Sequence, residues 1–156
     1  MSSAVYTKIQ IACEYLDLAM NLFLNDQNLF CAIHLAAAAE ELFGMHLPEE
    51  KNSHTRLRKA HQAFEVFERG KMPTDKEANY FINRTKNSVK HMNRSAGGVD
   101  DSDDRQITID PAEEAEWLIE RALSNFYKLG LSKSPTLWKY EEQTTQILQQ
   151  QHGSIF

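Results

Sequence analysis

Apolar residues recur at three- and four-residue spacing along most of this chain, and that rhythm decides the fold class. Val5, Ile9, Ala12, Leu16, Ala19, Met20 and Phe23 draw one stripe, because residues three and four apart share one face of a helix. No Val/Ile/Thr-rich run alternates with period two, and no segment repeats another at a fixed interval. The chain is therefore expected to be all-α, an up-and-down bundle of about five antiparallel helices followed by a short C-terminal helix or tail.

Capping and stop residues divide the rhythm. Ser2 or Ser3 is expected to cap a first helix ending near Asn25. Asp26 or Asn28 starts a second, with Leu29, Ile33, Ala36, Ala37 and Phe43 on its apolar side, which stops between Gly44 and Leu47 ahead of Pro48. Ser53 caps a third from His54 to about Arg69, with Leu57, Ala60, Phe64 and Phe67 turned inward and Gly70 as its stop. A fourth runs from Asp75 to about Arg94 on Ala78, Phe81, Ile82, Val89 and Met92. Asp100, Asp101, Asp103 and Asp104 mark a solvated loop without the glycine and glutamate of a calcium loop. Asp110-Pro111-Ala112-Glu113 opens a fifth helix through Trp117, Leu118, Ala122, Phe126 and Tyr127 to Gly130. Residues 1–131 thus form the expected bundle. Residues 132–156 form an extension, with a short helix from Thr136 to about Gln151 whose glutamine-rich end is expected to fray.

Composition narrows the function. With 42% hydrophobic residues the chain builds a core without metal or disulfide staples, and a net charge of −5 argues against a wholly basic nucleic-acid footprint. Cys13 and Cys31 sit in apolar helical patterns, so buried free thiols are expected. The N-terminus reads as neither signal nor transit peptide, and no uncharged apolar run reaches the roughly 20 residues that span a bilayer. A cytoplasmic protein away from the membrane is the expectation.

Each metal or nucleotide motif fails on inspection. The residues three before the histidines are Cys31, Phe43, Lys51, Arg58, Ser88 and Gln149, none of them an acid, so the Glu-x-x-His pairs of a di-iron bundle are lacking. Gly97-Gly98 follows a helix rather than a strand, and no Gly-x-Ser-x-Gly elbow occurs. No metal or cofactor is expected. The aromatics Phe23, Phe30, Phe64, Phe67, Phe81, Trp117 and Phe126 are read as core, His34 as a core or interface residue, and His46 and His61 as surface groups.

The fourth helix stands apart. From Tyr80 to Arg94 it carries Arg84, Lys86, Lys90, Arg94 and His91 and no acid, within an acidic protein. Positions seven apart nearly eclipse on a helix, so Arg84 and His91 share a stripe with Asn87 and Ser88 beside it. Such a set performs phosphodiester chemistry without metal, histidine moving a proton and arginine holding a phosphate by two donors. The plainer reading is a solvated basic face, or one paired with Glu113, Glu114 and Glu116.

On these residues the chain resembles the HEPN superfamily, small helical bundles marked by an arginine, four to six residues and a histidine. Arg84 and His91 fit that spacing. Lys86-Asn87-Ser88-Val89-Lys90-His91 is similar to a frequent Arg-Asn-Ala-Leu-Lys-His form, in a second register sharing His91. The alanine-rich stretch from Cys31 to Phe43 also resembles the family's partner helix, and residues 4–130 fit its five-helix layout. The resemblance implies a homodimer, or a heterodimer with a nucleotidyltransferase-like antitoxin, in which two motif helices face each other. It further implies a metal-independent endoribonuclease of toxin or RNA-processing type. His91 would be the general base or acid, Arg84 the stabiliser of the phosphorane and Asn87 the orienting residue, with Lys86, Ser88, Lys90 and Arg94 contacting RNA. Other members of the family are non-catalytic binding modules, which is the alternative.

Overall fold

A computed structural model describes residues 3–90 and 107–152, and all regular structure there is helical. Seven α-helices follow in order: α1 Lys8–Leu24, α2 Leu29–Gly44, α3 Ser53–Arg69, α4 Asp75–Ile82, α5 Arg84–Lys90, α6 Pro111–Lys128 and α7 Pro135–His152, with a 3-10 turn at Glu49–Lys51 before α3. None of these helices is long and apolar enough to cross a membrane.

The cap of α1 lies later than Ser2 or Ser3. The Thr7 hydroxyl accepts from the Gln10 amide at 3.1 Å and the Gln10 side chain accepts from the Thr7 amide at 2.8 Å, a reciprocal capping box. Val5 is left outside the helix and exposed. Between α1 and α2 the chain turns through Asp26 (φ 50°) and Asn28 (φ 46°), two residue types whose short polar side chains tolerate the left-handed region.

The core is a three-helix contact of α1, α2 and α6 closed by α7. Ala12, Leu16, Ala19 and Met20 of α1 meet Ile33, Ala36, Ala37 and Phe43 of α2 and Leu118, Ile119, Ala122 and Phe126 of α6, all buried. Small alanines on α2 let its neighbours approach closely, while Phe43 and Phe126 meet edge to face at 5.8 Å. At the end of α2 the approach is tighter still. A Cβ at Gly44 would lie 2.6 Å from the Asn52 side chain, and that side chain is occupied, because Asn52 rather than Ser53 caps α3 by accepting from the His54 amide.

The C-terminal segment is a full core helix. Leu137 and Tyr140 of α7 are buried in the same cluster, Phe23 packs on Tyr140 at 5.9 Å, and the Tyr140 hydroxyl donates to Glu120 at 3.0 Å. The helix continues through the glutamine-rich stretch to His152. Burial pushes the Tyr140 hydroxyl up from its ordinary pKa, so it stays a donor across the working pH range. Tyr140→Phe keeps the ring and deletes that bond; it is expected to cost about 1–2 kcal/mol in urea unfolding.

Candidate functional site

The expected fourth helix is broken. Asn83, at φ −111° and ψ 5°, separates α4 from α5, although its amide still reaches Asn79 O at 3.2 Å and its carbonyl accepts from the Asn87 amide at 2.9 Å. The carbonyl just before it, Ile82 O, accepts from Arg121 Nη1 of α6 at 3.2 Å. A side chain from the opposite helix therefore anchors the last turn of α4 where the helix breaks.

Arg121 belongs to a buried charge network that the sequence reading did not identify. Its Nε and Nη2 donate to Glu40 Oε1 at 2.9 and 2.6 Å, with 6% and 1% of the two side chains exposed. Ser53 Oγ donates to the same oxygen at 3.2 Å, and Lys86 Nζ lies 3.8 Å from Glu40 Oε2. Asn125 completes the frame: its Nδ2 donates to Glu40 O and its Oδ1 accepts from the Ser53 amide at 2.8 Å. Ion pair and hydrogen bonds together tie α2, α3, α5, α6 and the end of α4 at one point.

That hub sets the rotation of α5. Thr85 and Lys86 face inward: Thr85 Oγ1 donates to Glu114 at 2.9 Å and Lys86 Nζ to Glu41 at 2.8 Å. Val89, one turn on, packs against the core. The outer face is left to Arg84, which is exposed, and to Asn87 and Ser88, which are half-buried. The Ser88 hydroxyl donates to Arg84 O at 2.8 Å. Arg84, Asn87 and Ser88 are thus brought to one side, as their spacing requires. Lys86, expected to contact RNA, is instead committed to α2. The cation of the first register is exposed while that of the second is internal, and Arg84 makes no ion pair with a described residue. Lys90 closes α5. His91 and Arg94 lie outside the described residues.

Beside Arg84 runs a surface cleft of about 540 Å³ between α3, α4 and α6, lined by Leu57, His61, Phe64, Phe81, Glu113 and Trp117 among others. The aromatics here depart from the core reading. Phe64, Phe67 and Phe81 are 59%, 82% and 58% exposed, Trp117 39%, and Phe30 on α2 50%, leaving Phe126 buried and Phe23 partly so. Only Ser53 and Thr55 of α3 are fully buried, so the later turns of that helix present their apolar face to solvent. Cys31 is exposed and Cys13 half-buried, both as free thiols. His34 is exposed as well.

His54, the second residue of α3, reaches across to Asn79 of α4 and to Asn83. Its Nε2–H donates to Asn79 Oδ1 at 3.2 Å, with Asn83 Nδ2 at 3.5 Å. Burial lowers its pKa; Glu40 pulls the other way, and Arg121, Lys86 and Arg58 lower it further. A histidine held neutral in the native state binds fewer protons than it does unfolded, so stability is present above the unfolded pKa near 6.5 and falls as pH drops below it. His54→Gln is expected to flatten the decline in thermal midpoint between pH 7 and 5.5. An unchanged slope would remove His54 from the acid sensitivity.

Among the described residues, no three His, Cys, Asp or Glu side chains are grouped to hold a metal ion. Comparison with family models, curated proteins and solved structures found no match for the chain.

Proposed function

We propose that this chain is a HEPN-like protein, with α1 to α6 as its up-and-down five-helix core, α4 and α5 together standing for one helix. In this reading it works in the cytoplasm as a metal-independent endoribonuclease of toxin or RNA-processing type, with paired motif helices at a dimer interface. The observation that carries the reading is Arg84: α5 turns its neighbours Thr85 and Lys86 inward onto Glu114 and Glu41, and leaves the Arg84 guanidinium, which pairs with no described residue, exposed at a cleft.

The chemistry follows from the residue types. His91 takes the proton of an RNA 2′-hydroxyl, that oxygen attacks the adjacent phosphorus, and the 5′ oxygen departs with a proton returned to it. Arg84 holds the pentacoordinate phosphorane by its two-donor fork, with Asn87 orienting the phosphate. Ser88, Lys90 and Arg94 contact the strand. Lys86 serves the position of α5. The test is cleavage of RNA under chelation by wild type and by His91→Ala, which is expected to be inactive and folded.

A second reading is favoured by a different surface. Leu18, Leu22, Phe30, Leu35 and Val89, with Asn28, Cys31 and His34, line a depression of about 580 Å³ across α1, α2 and α5 that holds no Asp, Glu, Lys or Arg among the described residues. An exposed, largely apolar face beside the motif helix suits a binding module, covered by a second copy or by a nucleotidyltransferase-like antitoxin. Phe30→Glu is expected to convert a dimer to a monomer in sedimentation. A dimer that persists would put the interface elsewhere.

A further inference from the structure

Rings on α3, α4 and α6 line two adjoining clefts, one of which holds Arg84, and form one track. His61 and Phe81 lie face to face, their ring centroids 4.3 Å apart and their planes 1° from parallel. Clefts of about 540 and 440 Å³ lie on either side and share these two residues. The first holds Phe64, Trp117, Arg84 and Glu113; the second holds Tyr80, 62% exposed, and Lys71. Each cleft falls in the 300–1,000 Å³ range of small-ligand sites and exceeds the volume of one base.

Most charges along the track are already used. Glu114 accepts from Thr85, Glu65 pairs with Arg69 at 3.2 Å, and Glu77 is bound into the Thr74 capping box. The Glu113 carboxylate, exposed in the first turn of α6, and the Arg84 guanidinium make no ion pair or side-chain hydrogen bond with a described residue. One cleft therefore presents aromatic faces, an acceptor-only group and a two-donor cation. Unpaired RNA is recognised by such a combination: bases stack on aromatic rings, their Watson–Crick edges meet side chains, and a cation takes the phosphate. A carboxylate accepts from the N4 amine of cytosine, whereas uracil presents a carbonyl there and is repelled.

We propose that this track binds single-stranded RNA by stacking successive bases, and that the Arg84 cleft prefers cytosine over uracil through Glu113. The inference rests on the ribonuclease reading for Arg84 as the phosphate group, and it names that site's substrate as an unpaired strand, with cytosine preferred to uracil in the Arg84 cleft.

The test uses the full chain and fluorescently labelled 2′-O-methyl ten-mers, which have no free 2′-hydroxyl and so report binding without cleavage. Anisotropy is expected to show oligocytidylate binding at least tenfold tighter than oligouridylate. Phe81→Ala should weaken both by tenfold or more, and Glu113→Ala should bring the two affinities together. Both side chains are exposed, and an unchanged thermal midpoint verifies the fold of each variant. Cytidine monophosphate should compete only at concentrations far above the strand's; equal potency would overturn the assignment to a strand. No binding of either ten-mer would also overturn it. So would a Phe81→Ala variant that keeps full affinity but loses a dimer, since a second copy would then occupy the track. Cleavage of ordinary RNA is scored separately: cleavage without track-dependent binding defeats this inference alone, and track-dependent binding without cleavage defeats the ribonuclease reading alone.

Discussion

Arg121→Leu is expected to destabilise the protein by about 3–5 kcal/mol, because it removes one partner of a buried ion pair and leaves the other charge behind. Glu40 is 1% exposed, and without Arg121 its carboxylate keeps, among the described residues, only the Ser53 hydroxyl at 3.2 Å and Lys86 at 3.8 Å. The same substitution frees Ile82 O and strips the guanidinium from the face of Trp117, where it sits 4.6 Å from the ring centroid. At about 2–4 °C per kcal/mol for a chain of this size, the thermal midpoint should fall by about 10 °C. A double variant, Glu40→Leu with Arg121→Leu, should lose far less than the sum of the two single changes, since neither charge is then stranded. Additive losses in urea unfolding would show that the pair is not coupled.

Arg84→Ala is expected to lower RNA cleavage by about 10²-fold or more, in the range found when a donor to a developing oxyanion is removed, with the thermal midpoint nearly unchanged. Lys86→Met separates the two registers. Because Lys86 is held by Glu41 and lies close to Glu40, its loss should appear first as lowered stability, with cleavage per folded molecule retained. If Lys86→Met abolished cleavage at full stability while Arg84→Ala had no effect, the second register would be the functional one.

The helices were legible wherever the deciding interaction is local. Gly70 as the stop of α3, Asp110 with Pro111 as the start of α6 and Asn28 before α2 all depend on residues within one turn. Thr7-x-x-Gln10 is a capping box readable from the sequence, and it marks the start of α1 where Ser2 and Ser3 do not. What was not legible is tertiary. Nothing near Asn83 announces a break, since the group that anchors Ile82 O comes from Arg121, 39 residues later. Helical spacing showed that Arg84, Asn87 and Ser88 share a side but could not say which way that side faces; Glu41 and Glu114, on other helices, decide it.

One signal for the hub was present in the sequence. Glu40 continues the stripe of Ile33, Ala36 and Ala37 on α2, and Arg121 lies among Leu118, Ala122 and Leu123 on α6, so two opposite charges occupy core positions on facing helices. The aromatics failed for the opposite reason. Periodicity shows that Phe64 and Phe67 share a face with Leu57 but not that a neighbouring helix covers it, and Phe64 and Phe67 are left exposed. Likewise, the helix from Thr136 was readable, but not that Leu137 and Tyr140 anchor it in the core.

The most direct test of the account is the chemistry of the cut ends. Purified wild-type protein in excess chelator is incubated with a defined single-stranded RNA, and the products are resolved by mass. Attack by the 2′-oxygen predicts 2′,3′-cyclic phosphate ends, loss of cutting when the nucleotide 5′ to the cut is 2′-deoxy, and no activity from folded His91→Ala. Absence of cleavage, dependence on added metal, or normal cutting by His91→Ala would contradict it.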